Sequence, residues 1–351
     1  MTTVQPTVSI CVPNLNTLPF LPERFDTIFG QTLKDWELLV YDSYSNDGAW
    51  EYICGLTNRD SRVKAWQGPR QGTPGSWTPC VQAARGKYVY IATSDDTMPP
   101  DCLETLVTAL EKHPECDVAH CDLRVIDENG RDGLTWWSEA SMFSVSSGEL
   151  ISRPHLRKAP YDGLLHLLGE PVYISITQLL IRRSLFDRIG FFDAKWGAVG
   201  DFHWCMRAGL AANTIHVPQT WGGWRVHGSQ ATAGSRVGSA DHAAKVDAMI
   251  EDAIARSEPL LEPSVRNLLL TKWSRQAAEL RSLIKEVAAC ESSLERRTLI
   301  MRRLLTGSSA ARVYLKARLP GVRRWREMGP DFVHSMLAEA GIDSTLVSLP
   351  D

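Results

Sequence analysis

The sequence predicts an α/β protein: a mostly parallel sheet flanked by helices, followed by a helical C-terminal region. Three observations predict it. Short apolar runs alternate with helical patterns through the first half of the chain, the signature of strand–helix–strand units. Acidic residues, Asp42, Asp95 and Asp96, fall where those apolar runs end. From about residue 240 the texture changes to long helical patterns with few strand signals.

The elements follow in order. Val8–Val12 reads as the first strand, stopped by Pro13-Asn14, and Leu18–Phe29 has helical spacing. Trp36–Tyr41 (WELLVY) is a second strand ending at Asp42; Ala49–Leu56 is a short helix and Arg62–Trp66 a third strand. A Gly/Pro loop spans Gly68–Gly75. Trp77–Arg85 is helical, and Lys87–Ala92 is a strand running into Thr93-Ser94-Asp95-Asp96. Pro99-Pro100 opens a helix over Asp101–Lys112, since proline suits a first turn. Asp117–Cys121 is another strand. Residues 131–170 read as a less regular insertion containing Trp136-Trp137. Tyr173–Ile181 resumes as a strand, followed by helices over Arg183–Ile189 and Gly200–Leu210 and a strand over Thr214–Val217. A boundary falls in the Gly/Ser-rich AGSRVGSADH, which divides the chain into residues 1–235 and a helical unit over 240–351. Crossovers in such sheets are right-handed, and ligands bind beyond the carboxyl ends of the strands.

Composition bounds the function. At 351 residues, 44% hydrophobic and 23% charged, the chain is long enough for about two domains and a full core. A net charge of −3 excludes a polycation built for nucleic acid. The 12 tryptophans are many for the length, so some are expected in a binding cleft. The eight cysteines form no CxxC and no zinc spacing, and several lie in apolar runs; buried free thiols in a reducing compartment are expected. The start MTTVQPTVSI lacks the pattern of a signal peptide, and the longest apolar stretch, Val172–Ile181, is too short to span a bilayer. A cytoplasmic location is the expectation.

Two turns carry the chemistry. In VYDSYSNDG, residues 40–48, Asp42 leaves a strand into a polar turn. Its carboxylate can accept from a nucleobase N–H or a ribose hydroxyl; an ordinary turn with a helix cap explains the same residues. In YIATSDD, residues 90–96, two adjacent carboxylates repel and are eased by a cation. Mg²⁺ or Mn²⁺ held by one or two carboxylates and substrate phosphates is the usual arrangement, and a solvated acidic turn is the alternative.

The ordered motifs VSICVPNLN, VYDSYSNDG and ARGKYVYIATSDD resemble the family 2 nucleotide-sugar glycosyltransferases of GT-A fold. Asp42, Ser45, Asp47 and Gly48 match the family's V-D-D-G-S-x-D-G; Ala84, Gly86, Tyr88, Asp95 and Asp96 match its metal motif. Ser43 and Thr93 stand where the family usually has Asp. GFFDAKWGAVGDFHW, residues 190–204, resembles the region of the general base, and WRVHGSQAT, residues 224–232, resembles the R-x-H segment. The resemblance spans roughly residues 7–232. It implies an inverting transfer from a nucleotide-sugar, a uridine nucleotide by preference, to a carbohydrate or lipid-linked acceptor. Asp201 would be the base, and Asp96 and His227 would hold Mn²⁺ or Mg²⁺. Asp95 would serve the ribose or the metal, and Asp42 the base of the nucleotide. Pro13 and Asn14 would contact the nucleotide, with Arg70 reaching it or its phosphates. Sugar rings stack on aromatic faces, which points to Trp196 or Trp221 on the acceptor side. Helix capping by Asp201, a buried structural His227 and a plain surface Arg70 are the competing readings.

Residues 296–326 carry ten Lys/Arg and no acid, interleaved with apolar residues. Such a stretch suits peripheral contact with anionic lipid; a solvated helical face or a surface covering a second subunit of a homo-oligomer is the alternative. Two other functions compete with transfer. A sugar-phosphate nucleotidyltransferase would carry a Gly-rich basic loop after the first strand, where this chain has PNLNTLPF. A non-catalytic nucleotide-sugar-binding subunit is motivated by Ser43 and Thr93.

Overall fold

The structure, a computed structural model, describes residues 5–72, 74–135, 141–230, 240–306, 325–343 and 346–349. The first part of the chain builds β1 (Val8–Asn14), α1 (Leu21–Phe29), β2 (Trp36–Asp42), α2 (Ala49–Thr57), β3 (Val63–Gln67), α3 (Trp77–Ala83), β4 (Tyr88–Ile91), α4 (Cys102–Lys112) and β5 (Val118–Ile126). Next come β6 (Asp132–Thr135), α5 (Met142–Ser147), β7 (His155–Arg157), α6 (Tyr161–His166), β8 (Leu179–Arg182), α7 (Arg183–Ile189), α8 (Gly200–Ala211) and β9 (Thr214–Arg225). The rest is α9 (Ala240–Ser257), α10 (Pro263–Leu268), α11 (Ser274–Ala289), α12 (Ser293–Leu305), α13 (Trp325–Glu339) and β10 (Leu346–Ser348).

Among the described residues one sheet runs β10-β7-β9-β5-β8-β4-β1-β2-β3, with β6 paired to β5. Every residue of β1, β2 and β4 is buried, as expected of strands covered on both faces. Alternation sorts their side chains. Val8, Ile10 and Val12 pack with Phe25 and Ile28 of α1 and with Leu103 and Leu106 of α4. Cys11, Leu39 and Ile91 join Trp77 and Val81 of α3, Leu164 and Leu165 of α6 and Trp204 of α8 on the other face.

The sequence implies a mostly parallel sheet; the sheet is mixed. Strands β3, β2, β1 and β4 are parallel, and so are β5 and β9. Strand β8 enters antiparallel between β4 and β5. Four further differences have physical causes. Strand β1 continues through Pro13 and Asn14, because β2 runs on to pair them with Tyr41 and Asp42. The strand expected over Tyr173–Ile181 is confined to Leu179–Arg182. Before it, Ser175 and Gln178 form a capping box around a 3-10 turn, the Gln178 side chain accepting from the Ile174 and Ser175 amides. Strand β9 runs to Arg225 instead of stopping at Val217, its register with β5 shifting at Cys121/Asp122. The region 131–170 contains β6, α5, β7 and α6; Trp136 and Trp137 lie outside the described residues.

Most of the expected boundary loop, residues 231–239, lies outside the described residues. Beyond it, Met249, Trp273, Leu280, Phe332 and Val333 belong to the same buried cluster as α6 and α8. Strand β10 pairs antiparallel with β7, so the chain returns to the sheet.

Candidate active site

A cleft of about 180 Å³ opens beyond the carboxyl ends of β1, β2 and β4, where ligands bind in α/β sheets. Pro13 and Asn14 form one wall, Ser43 another, and Arg70, Gly72, Ser76 and Trp77 a third. Thr93, Ser94 and Asp95 enter after β4, and His227, Ser229 and Gln230 after β9.

Asp95 and His227, distant in sequence, meet across this cleft: His227 Nε2 lies 3.0 Å from Asp95 Oδ2. The ring is fixed on its other side, with Nδ1 2.9 Å from Ser229 Oγ and the His227 amide donating to Gln230 Oε1. Phe20 packs on it at 4.5 Å between ring centroids.

Arg225, only 1% exposed, holds the Asp95–Asp96 turn in place. Its amide donates to Asp96 Oδ1 at 2.9 Å and its Nε to the Asp95 carbonyl at 2.7 Å. Nη1 donates to the Asp127 carbonyl at 3.0 Å, and Nη2 pairs with Glu23 of α1 at 2.6 Å. One side chain therefore ties together α1, the turn after β4, the turn after β5 and the end of β9. Gly223 permits the approach: it exchanges two backbone hydrogen bonds of 2.9 Å with Thr97, and a Cβ there would sit 2.1 Å from Thr97 Oγ1.

Two of the expected carboxylates lie outside the cleft wall. Asp96, rather than lining the cleft beside His227, is 2% exposed and is used internally. It accepts from the Arg225 amide and the Thr93 hydroxyl. Burial, and then the charge of Asp95, push its carboxyl up. Asp42 is fully buried and likewise absent from the cleft wall. Its oxygens take four donors, from Asn14 Nδ2 (2.6 Å), Ser45 Oγ (2.5 Å), the Ser45 amide (3.0 Å) and Gln67 Nε2 (2.9 Å). A carboxylate so saturated has no lone pair left for a ligand. Asp42 instead aims Asn14, which does reach the cleft.

Asp201 sits in the first turn of α8 and accepts from the Phe202 amide at 2.8 Å. Burial pushes its carboxyl up to about 6. It is not part of the cleft wall, but the residue before it, Gly200, packs against Pro74, within the Gly72–Ser76 loop that is. Trp196 offers no platform: it is 8% exposed, with His203 on its ring at 5.2 Å and the Lys195 ammonium 4.6 Å away. Trp221 is half-buried, with the Arg124 guanidinium 4.3 Å over its ring.

Sequence reasoning missed several neighbours. Ser43 Oγ and Ser76 Oγ, 3.3 Å apart, put a hydroxyl pair in the cleft wall. Asp122, at the register shift beside Trp221, is 9% exposed and pushed up to about 6 by burial. The sequence carries no signal for it: the strand reads only to Cys121, and the bulge at Asp122 belongs to the pairing with β9.

Asp95 and His227 present one carboxylate and one imidazole to the cleft. No third His, Cys, Asp or Glu joins them among the described residues. A divalent ion such as Mn²⁺ or Mg²⁺ fits this set, because it takes its remaining ligands from substrate phosphates and water.

A central mixed sheet flanked by helices and followed by a helical C-terminal region matches a GT-A architecture. Residues 9–190, just over half the chain, match the profile of glycosyl transferase family 2, and the chain belongs to that family. It is 28% identical over 183 residues to the uncharacterized glycosyltransferase EpsJ of Bacillus subtilis, a match covering 52% of this chain and 50% of that protein. Glycosyltransferase GlyG of Streptococcus pneumoniae is 28% identical over 190 residues, covering 54% of this chain and 60% of its own. The chain thus spans between 50% and 60% of the length of these relatives. The crystal structure of S. aureus TarS 1–349 superposes with a TM-score of 0.57 at 16% identity, covering 98% of this chain and 97% of that one. TarS 1–349 has also been solved with UDP and with UDP-GlcNAc. At that identity the likeness is one of fold.

Proposed function

We propose that the chain is an inverting, metal-dependent glycosyltransferase. It moves a sugar from a nucleotide-sugar, preferentially a UDP-sugar, to a hydroxyl of a carbohydrate or lipid-linked acceptor, in surface-polysaccharide or lipid-linked glycan assembly. The observation that carries the reading is the meeting of Asp95 and His227 at 3.0 Å in a strand-end cleft walled by Asn14 and Arg70. Asp95 and His227 would hold Mn²⁺ or Mg²⁺, which when bound offsets the charge building on the diphosphate leaving group. Arg70 brings a fixed positive charge to the same phosphates. Asn14, aimed by Asp42, and the Ser43/Ser76 hydroxyls orient the nucleoside. Asp201 takes the acceptor proton as the acceptor oxygen bonds to the anomeric carbon and the bond from that carbon to the phosphate oxygen breaks. Its carboxyl, raised to about 6, is ionised near neutrality yet more basic than an ordinary aspartate. A base opposite the leaving group inverts the centre, as in inverting glycosidases. Eight free cysteines, six of them buried, support a reducing, cytoplasmic setting.

Thermal-shift screening of UDP- and GDP-sugars with Mn²⁺ selects the donor, and release of nucleoside diphosphate reads the reaction. Asp201→Asn is expected to keep donor binding and lose release. Binding without release by the unaltered protein, under all donors and acceptors, leaves the binding-only subunit that Ser43 and Thr93 suggest.

A further inference from the structure

We propose that the outward face of α12 docks on the surface of an anionic lipid bilayer, lying in the interface without crossing it. The face is a single stripe at helical spacing: Leu294, Arg297, Thr298, Met301, Arg302 and Leu305. Leu294, Met301 and Leu305 are 72%, 55% and 84% exposed, the most exposed apolar cluster on any one described helix. Arg297 and Arg302 lie exposed among them and form no ion pair with any described residue. The opposite face is already spent: Ile300 is buried, Arg303 pairs with Glu286, and Arg296 donates to the Cys290 carbonyl.

The helix is set before any partner arrives. Ser292 and Glu295 form a capping box, which also engages the only acid in α12. Docking therefore orders no new backbone. None of the described helices is long and apolar enough to cross a membrane. An exposed apolar stripe edged by arginines on such a helix is the composition of an interfacial helix.

Charge selects the occupant. Residues 296–326 hold ten Lys/Arg and no acid, so the stretch seeks an anionic surface. A second copy seated by a two-fold axis on the same stripe would bring the arginines of the two copies together. A nucleic acid would leave three large apolar side chains without a partner. An anionic bilayer satisfies both kinds of group at once. The proposal stands whether or not the cleft transfers sugar.

The test is co-sedimentation of the full chain with vesicles of equal parts phosphatidylcholine and phosphatidylglycerol, against phosphatidylcholine alone. Binding is expected only to the anionic vesicles and should weaken as salt is raised. Each arginine near an anionic surface multiplies partitioning about fivefold, so Arg297→Gln with Arg302→Gln should lower it roughly 25-fold. Met301→Ser with Leu305→Ser should lower it on the order of tenfold or more. These side chains are exposed, and an unchanged melting temperature confirms the fold. The proposal is overturned if the chain ignores anionic vesicles. It is equally overturned if both double variants bind as the unaltered protein does. It also fails if the substitutions abolish self-association or binding to polyuridylate while vesicle binding persists. Nucleotide-sugar turnover in detergent reads the cleft separately.

Discussion

Burial separates two adjacent carboxylates. Asp95 faces His227 in the cleft, whereas Asp96 is withdrawn to serve the Arg225 amide and the Thr93 hydroxyl. Replacing each should therefore fail differently. Asp95→Ala is expected to reduce turnover on the order of 10²–10³-fold with little change in stability, the size seen when one transition-state contact is removed. Asp96→Ala leaves the buried Arg225 amide without its acceptor and should cost about 1–3 kcal/mol in urea unfolding. Equal effects of the two on turnover and stability would refute this division. Asp201 carries a pH prediction. Its folded carboxyl is raised to about 6 from a usual value near 4, so the native state holds its proton longer than the unfolded chain. Stability from this group is then lost as pH rises between roughly 4 and 6, and Asp201→Asn should be more stable than the unaltered protein at pH 7, by about 1–3 kcal/mol. Turnover should rise through about pH 6 as the base ionises. A flat pH–rate profile from 5 to 7 would rule Asp201 out as the base.

At the scale of elements, four histidines from β5, β7, α6 and β9 surround a buried ion pair between Arg157 and Asp162 at 2.7 Å. His120 Nδ1 lies 3.2 Å from His216 Nδ1, and the Val172 amide donates to His166 Nδ1 at 3.2 Å. Burial, with the charge of Arg157 acting the same way, pushes His120 and His166 down to about 3 and His155 to about 4; His216 is held well below its usual value. The unfolded chain binds these protons near pH 6.5 and the native state does not. Stability is full above about 6.5 and falls as acid is added, by up to roughly 2 kcal/mol per histidine at pH 5. Urea titrations at pH 7 and 5 should differ by several kcal/mol; equal midpoints would show that these rings charge without cost. The same elements show where sequence patterns stop. The ends of β2 and β4 are legible because Asp and Ser punctuate the apolar runs there, whereas Pro13-Asn14 reads as a stop that β1 runs through. Strand β9 was cut short because Pro218 and Gly222-Gly223 argue against a strand interior. Arg225 shows in the sequence only as the Arg of the R-x-H segment; its bracing role is hidden because three of its partners are backbone carbonyls, at Asp95, Asp127 and Glu128, which leave no residue signature. Ser43 and Ser76 look like ordinary turn residues until the fold brings them within 3.3 Å.

For the whole molecule, one buried cluster draws on both of the expected units, while a second lies on the other face of the sheet. Trp273 and Phe332 pack with ring centroids 5.3 Å apart within the cluster that contains Trp204 and Leu164. Removing residues 240–351 would expose that face and also strip β7 of its β10 partner. Residues 1–235 alone are expected to aggregate or to bind a hydrophobic dye; a monodisperse, cooperatively melting fragment would show that the boundary near 235 separates independent folding units.

Strand β8, lying between β4 and β5, carries a consequence for biosynthesis. As the polypeptide leaves the ribosome, β4 and β5 emerge well before β8 and β9, the strands that later flank them. For that interval the nascent sheet is split into halves with raw apolar edges, the condition under which chains stick to one another. Closing the gap demands contacts between remote segments, which are slow to form. Yield in a cell should thus track chaperone supply and translation speed more closely than the finished protein's resistance to denaturant.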